Sequence, residues 1–478
     1  MNLGDVISVL FILYVTLIVV VMVLERRKAS TTIAWLLILL FLPYAGFVLY
    51  LFFGRDISKK SVFRRRDEAL AAFRSLPEEQ IRLLLGRSGN GETEEDEFDG
   101  LIQMNMKMAG AAFTRDNLVE ILTDGQEKFR RLSDSIRQAV SHVHLEYYIF
   151  REDTLGNALM ELLEETAARG VQVRLLIDGV GNRISRKRLD RLRAAGVSVA
   201  IFFPNRFLPY IELLVNHRNH RKVAVIDGQE GYTGGFNVGD DYLGDGPMGY
   251  WRDTHLLIRG SAVADLQAHF AEDWFLASGE DLSSRQELFP VPAPAGDAGL
   301  QVVASGPESP QEQIKYAFLE MISSARECIC IQTPYFIPDD PVFEAIKIAL
   351  FRGVRVRIMV PNKPDHMFVY WATYSYLGDL LPYGLEAYTY ENGFLHAKTM
   401  VVDNRVFTCG TTNFDIRSFK LNFEVNVFSY SQEVAGQYMR IFEEDVRLSR
   451  QLTWEDYRMR PWPVRIKEPV ARLLSPLL

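Results

Sequence analysis

Cysteine is nearly absent from this chain. Its 478 residues include three, at 328, 330 and 409, which excludes a disulfide-stapled secreted scaffold. Cys328 and Cys330 lie one residue apart and Cys409 stands alone. They read as reduced, buried small residues, since a zinc site needs three or four well-spaced ligands. A basic excess is also lacking. Lys and Arg number 53 against 61 Asp and Glu, a formal net charge of −8. This argues against a dedicated nucleic-acid binder, whose footprint is basic. With 48% hydrophobic residues and balanced charge, a wholly disordered chain is excluded. The length suits two or three domains with large buried cores.

Charge is missing altogether from two early runs, 6–24 and 33–53. Each is about the 20 residues that a helix needs to cross the hydrocarbon core. No small-residue cleavage site follows the first run, as a signal peptide would require. The short connection between the runs predicts a transmembrane hairpin over 1–60. Basic residues in that connection and at Arg55, Lys59, Lys60, Arg64, Arg65 and Arg66 place the large C-terminal part in the cytoplasm by the positive-inside rule. The implied location is the cell inner (plasma) membrane. The Lys59–Arg66 cluster can also attract anionic headgroups. Residues 61–104 read as a helix, roughly Asp67–Leu85, and a Gly-rich acidic linker.

The remainder repeats itself. The strand-like run 142–150, a helical pattern, the apolar strand 171–178, a basic helix and the strand from 197 recur as 328–338, a helix, 354–361, a helix and the strand from 384. Apolar strands alternating with helices predict an α/β fold with a sheet covered on both faces. The expectation is two βαβ half-domains, 105–290 and 291–478, related by a pseudo-twofold axis with a site where they meet.

Local strings sharpen this. Residues 220–237 read HRKVAVIDGQEGYTGGFN, and 396–413 read HAKTMVVDNRVFTCGTTN. In both, His is followed by Lys at +2, Asp at +7, Gly at +14 and Asn at +17, and an acid lies downstream, Asp253 or Glu424. The run KVAVID alternates into a short buried strand, which predicts that His220 and Lys222 share a face, as do His396 and Lys398. Two imidazoles flanked by fixed cations suit an anionic phosphodiester. One ring can attack phosphorus while the other protonates the leaving alkoxide. Lys and Asn donors would stabilise the non-bridging oxygens, and an acid on the far nitrogen of each ring would fix its tautomer. This chemistry needs no metal and no cofactor, and no carboxylate cluster suggests one.

On these residues the chain resembles the phospholipase D superfamily of HKD phosphodiesterases. Over nearly its whole length it resembles bacterial cardiolipin synthases, through IAWLLILLFLPYAGFVLYLFFG, NHRNHRKVAVIDG, YTGGFNVGDDYLG, WRDTH, TPYFIPDD, FLHAKTMVVD, RSFKLNFEVN and ARLLSPLL. The resemblance implies two phospholipase D-like halves. It also implies reversible phosphatidyl transfer between two phosphatidylglycerol molecules on an anionic membrane, giving cardiolipin and glycerol through a phosphatidyl-histidine. His220 would be the nucleophile and His396 the acid and base, although near-symmetry also permits the opposite roles. Lys222, Lys398, Asn237 and Asn413 would hold phosphate, with Asp253 orienting His220 and Glu424 orienting His396. Asp227 and Asp403 complete the catalytic motif but are expected to stabilise their turns. The second motif has Gly410-Thr411 where Gly-Ser is common, and the first has Gly234-Gly235. Nucleic acid is not expected as a partner, and a homo-oligomer stays open.

The alternatives are a hydrolase using water as acceptor, a nuclease-like phosphodiesterase and an inert scaffold. Several features divide between function and packing. His217 either lines the site mouth or sits on the surface, and His255 reads as a strand residue. Arg186, Lys187, Arg188, Arg191 and Arg193 form either a solvated helix face or a contact with anionic membrane. Residues 202–215 form either a lipid-facing loop or ordinary packing. The tail from 459 is either interfacial or a strap across the domain.

Overall fold

The computed structural model describes residues 98–203, 217–309, 311–473 and 475, with parts of the N-terminal region, chiefly 29–42. From residue 98 the predicted alternation appears twice. The first half contains α1 (Asp99–Ala109), β1 (Thr114–Leu122), α2 (Gly125–Gln138), β2 (His142–Tyr147), α3 (Thr154–Ala168), β3 (Gln172–Asp178), α4 (Arg186–Ala194) and β4 (Ser198–Phe202). Short strands β5 (Arg218–Asn219), β6 (Val223–Ile226), β7 (Glu230–Gly234), β8 (Trp251–Arg252) and β9 (His255–Arg259) lead to α5 (Ala262–Ser278). The second half runs β10 (Ala298–Ser305), α6 (Gln313–Ser324), β11 (Cys328–Gln332), β12 (Phe336–Ile337), α7 (Asp340–Phe351), β13 (Arg355–Pro361), α8 (Met367–Leu380) and β14 (Glu386–Tyr390). There follow β15 (Phe394–Leu395), β16 (Thr399–Val402), β17 (Val406–Gly410), β18 (Phe414–Asp415), α9 (Ile416–Lys420), β19 (Asn422–Ser429), α10 (Gln432–Arg447), β20 (Ser449–Leu452), α11 (Trp454–Met459) and α12 (Trp462–Leu473).

Polar residues before the apolar helical runs start the helices. The side chains of Asp124, Asp153, Ser185, Asp339 and Ser431 each accept a hydrogen bond from a backbone N–H in the first turn of α2, α3, α4, α7 and α10, satisfying donors that have no partner within the helix.

One sheet runs through both halves in the order β20-β14-β13-β11-β16-β17-β19-β10-β1-β9-β7-β6-β2-β3-β4. Outward from the central antiparallel β10–β1 pair, the two halves give the same succession, which is the pseudo-twofold relation expected from the repeat. β20 is an extra edge strand on the second half. β2, β3 and β4 are parallel, as are β11, β13 and β14. These are the apolar runs with no polar alternation, and packing explains why. Leu175 and Ile177 of β3 face a core with Leu132 of α2 and Leu163 of α3. Leu176 between them faces Phe270 and Trp274 of α5 on the opposite side. A strand buried on both faces shows no period of two.

One expectation changes here, and two open readings gain detail. Residues 99–104, read as linker, begin α1. Its Leu101, Ile102 and Met106 pack with Ile314, Phe318 and Met321 of α6 in the second half's core. The short apolar motif in DGLIQMNMKMA was too brief to separate from the acidic run before it. The basic helix α4 is largely paired: Arg188 and Arg191 meet Glu164, and Arg193 meets Asp190. The tail is helical and serves as a strap on one side only. Glu468 and Ala471 of α12 are buried, whereas Trp462, Ile466, Val470 and Leu473 are exposed along the other side.

Most of the first early apolar run and part of the second lie outside the described residues, as do 204–216. Ala29–Phe41 is a helix without charged residues. Among the described residues no helix is long and apolar enough to cross a membrane. All three cysteines are free, with Cys330 and Cys409 buried.

Candidate active site

Two two-residue parallel ladders stitch the halves together beside the motifs. β5 pairs with β19, Arg218 opposite Asn422 and Asn219 opposite Phe423. β15 pairs with β8, Phe394 opposite Trp251 and Leu395 opposite Arg252. The next residue on each strand then falls beside the next on its partner. His220 N–H donates to Phe423 O (3.0 Å), and His396 N–H donates to Arg252 O (2.7 Å). His220 therefore lies beside Glu424, and His396 beside Asp253.

The side chains follow. His220 Nδ1 is 3.0 Å from both carboxylate oxygens of Glu424. His396 Nδ1 is 2.6 Å from Asp253 Oδ2. Each acid thus supports the histidine of the other half, which corrects the expected pairing of Asp253 with His220 and Glu424 with His396. The expectation took each acid to serve its own motif. The cross-half ladders leave no such choice.

His220 and Lys222 do not start a strand. Both precede β6, and His396 and Lys398 precede β16, in extended lead-ins. Lys222 Nζ donates back to His220 O (2.6 Å), and Lys398 Nζ donates back to His396 O and lies 2.9 Å from His396 Nδ1. Burial dominates the electrostatics. It lowers His220 to about 4, against the pull of Glu424, and lowers His396, helped by Lys398. Burial also brings Lys222 down to about 7 and Lys398 to about 8. Burial would raise Glu424, but His220 and Lys222 outweigh it and hold the carboxyl below its ordinary value. His220 senses Lys398, and His396 senses Lys222, so the four groups share one electrostatic site.

The other motif residues separate by role. Asp227 accepts from the backbone N–H groups of Val140, Ser141 and His142. Asp403 does the same for Arg326, Glu327 and Cys328. Both carboxylates are spent on holding the start of β2 or β11 against the following hairpin. These contacts are those of a turn-stabilising role and not of the catalytic role that the motif implied. Asn237 accepts from Ile149 N–H (3.1 Å) and donates to Tyr242 Oη (2.8 Å). Among the described residues buried Asn413 Oδ1 has no hydrogen-bond partner. Thr411 donates to Glu424, and Asn422 Nδ2 donates to it at 3.1 Å. At the matching place Gly235 makes room for Asp253: a Cβ there would stand 1.9 Å from Asp253 Oδ1. His217 Nδ1 contacts Leu421 O (3.0 Å), next to the β5–β19 ladder, and His255 lies in β9 as read.

Sequence reasoning missed the aromatic walls and two buried arginines. Tyr148 packs edge-on to His220 with ring centroids 5.1 Å apart, and Trp251 lies 5.2 Å from His396. Arg221 and Arg252 are buried beside the ladders. Their only sequence signal was adjacency to a motif histidine or acid. Among the described residues no group of three or more His, Cys, Asp or Glu gathers as a metal site.

Comparison with known proteins identifies the family. The family model "Cardiolipin synthase, PLD-like domain" matches residues 132–274 and 318–446, and "Phospholipase_D-nuclease N-terminal" matches 11–55. The chain is 48% identical to the major cardiolipin synthase ClsA of Bacillus subtilis strain 168 and 45% identical to the cardiolipin synthase of Oceanobacillus iheyensis, with 98% of each chain covered in both cases. The solved phosphatidylserine synthase of Haemophilus influenzae Rd KW20 superposes with a TM-score of 0.63 at 15% identity, over 79% of this chain and all of that one, a likeness of fold. With full-length identity at this level and two intact motifs, the chain belongs to the cardiolipin synthases of the phospholipase D superfamily and is a phosphatidyltransferase.

Proposed function

We propose that this enzyme converts two molecules of phosphatidylglycerol into cardiolipin and glycerol, reversibly, through a phosphatidyl-histidine. The lipid follows from relatives named cardiolipin synthases. The observation that carries the mechanism is the pair of crossed His–carboxylate contacts, His220 with Glu424 and His396 with Asp253. Each carboxylate engages Nδ1 and leaves Nε2 of each ring for chemistry.

His220, neutral near pH 7 because burial lowers it to about 4, attacks phosphorus through Nε2. The P–O bond to glycerol breaks, and His396 Nε2 gives its proton to the departing oxygen. The arriving diester anion favours that protonated ring, offsetting burial and Lys398. His396 then takes the proton from a hydroxyl of the second phosphatidylglycerol. That oxygen attacks phosphorus, and the P–N bond breaks. Glu424, held ionised by its neighbours, stabilises the positive charge on the phosphatidylated His220 ring. Lys222 and Lys398 neutralise the non-bridging oxygens, aided by Asn413 and by the Asn237 amide, which also holds the loop before it.

The exposed face of α12 suits an anionic bilayer. Trp462, Ile466, Val470 and Leu473 lie along one side, flanked by exposed Arg465 and Lys467, the composition of a helix that lies in the interface. The early apolar runs would anchor the chain in the plasma membrane with this part on the cytoplasmic side. Purified enzyme with glycerol-labelled phosphatidylglycerol tests the reading. Cardiolipin and glycerol in equal amounts are expected. Phosphatidic acid without cardiolipin would make the protein a hydrolase and overturn the proposal.

A further inference from the structure

The two ladders are equivalent strand for strand, yet the buried arginine that reaches the carbonyl of the acid stands at a different place in each. Register aligns His220 with His396, Arg221 with Ala397, Glu424 with Asp253 and Phe423 with Arg252. At the first ladder the guanidinium comes from the residue after the histidine. At the second it comes from the residue before the acid, where the first has Phe423. The side chain missing on one strand is supplied by the other.

The destinations match. Arg221 Nε donates to Glu424 O (3.1 Å) and Nη2 to Ser305 O (3.2 Å), while Nη1 meets buried Asp273 of α5. Arg252 Nη1 donates to Asp253 O and to Thr254 Oγ1 (3.0 Å), while Nε and Nη2 lie 3.1 and 2.7 Å from Asp445 of α10. In both cases the guanidinium binds the backbone carbonyl of the acid that orients a catalytic histidine. It ties that carbonyl to an aspartate on the helix of the half that supplies the histidine. Arg221, Arg252 and both aspartates are at least nine-tenths buried. A planar guanidinium can span a carbonyl and a carboxylate at fixed angles; a lysine cannot.

We infer that Arg221 and Arg252 are positioning residues, guanidinium clamps that set the register of Glu424 against His220 and of Asp253 against His396. The inference rests on these two pairs being the reacting groups, as proposed above. It does not depend on which histidine is phosphatidylated or on the acceptor.

Glycerol release from phosphatidylglycerol in mixed micelles reads the clamp whichever acceptor takes the phosphatidyl group, whereas cardiolipin yield from the unmodified enzyme tests the functional reading separately. Removing one arginine strands a buried aspartate, so the charge is removed in pairs: Arg221→Met with Asp273→Leu, and Arg252→Met with Asp445→Leu. Replacing a buried ion pair by apolar residues is often neutral for stability. Each pair is expected to keep the melting temperature and KM while kcat falls about 10- to 100-fold. Arg221→Lys, which keeps the charge and loses the fork, is expected to show the same split between kcat and KM. Relocating the guanidinium, with Ala397→Arg and Arg252→Phe together, copies the first ladder onto the second and is expected to return kcat to within about threefold of the unmodified enzyme. Unchanged kcat in the paired or lysine variants would reduce the arginines to charge balance and overturn the proposal. So would a relocation variant no faster than Arg252→Met with Asp445→Leu.

Discussion

Burial moves all four motif side chains toward their neutral forms, and this has a sign that kinetics can read. In the proposed mechanism the attacking imidazole must be neutral, so kcat/KM is expected to rise as pH climbs through about 4, to which burial lowers His220. The lysines must be charged to hold a phosphodiester. Lys222 loses its proton near 7 and Lys398 near 8, so kcat/KM falls as pH climbs through that range. Lys222→Arg keeps its charge, and the alkaline limb should move up toward the Lys398 value. An alkaline limb unaffected by Lys222→Arg would contradict the phosphate role. The crossed acids give a second test. Glu424→Gln weakens the His220 step, and Asp253→Asn weakens the His396 step, each by about 10- to 1,000-fold on phosphatidylglycerol. A phosphatidyl ester of a nitrophenol needs no proton on departure. Nitrophenol release from it should therefore be restored in Asp253→Asn and stay slow in Glu424→Gln. The reverse pattern would exchange the roles of the two histidines.

At the scale of elements, what carried a pattern in the sequence was legible, and what carried none was not. The repeated β-α-β succession and the twin motifs both show as periodicity or spacing. The ladders β5–β19 and β8–β15 have two residues per strand and join segments far apart in sequence. Nothing in RN, NF, WR or FL signals a partner, so the exchange of acids was hidden even though both histidines and both acids were visible. Asp227 and Asp403 show the converse. Their spacing from the histidine marked them, but their work is in the hairpins. At Asp227 and Gly228, and at Asp403 and Asn404, φ lies between 51° and 64°, the positive values that tight hairpin turns require. Each aspartate accepts three backbone N–H groups where the chain enters the neighbouring strand. Asp227→Ala and Asp403→Ala should each cost about 2–3 kcal/mol of stability. Initial rates measured well below the lowered melting temperature should stay near those of the unmodified enzyme. A loss of activity without a loss of stability would return these residues to the chemistry.

At the scale of the whole molecule, duplication has not produced two independent bodies. The chain enters through α1, which precedes the first half but lies in the second half's core with Phe318 and Met321. Asn105 of α1 donates to Gln301 Oε1 (3.2 Å) of β10 and to Tyr430 Oη (3.3 Å). The β1–β10 pair joins the halves into one sheet, and the ladders cross between them again at the catalytic groups. Neither half can lose its fold without exposing apolar surface of the other and parting a histidine from its acid. Folding units that share a core and a sheet melt together. Calorimetry of the intact enzyme should therefore show one transition for residues 98–478, with equal calorimetric and van't Hoff enthalpies. Asp227→Ala, a lesion in the first half, and Asp403→Ala, its counterpart in the second, should both lower that same transition, and activity should disappear along it. If instead two transitions separate, and each variant displaces only the one belonging to its own half, the halves are autonomous domains. The exchange of acids would then be a contact between finished folds, not part of what holds them.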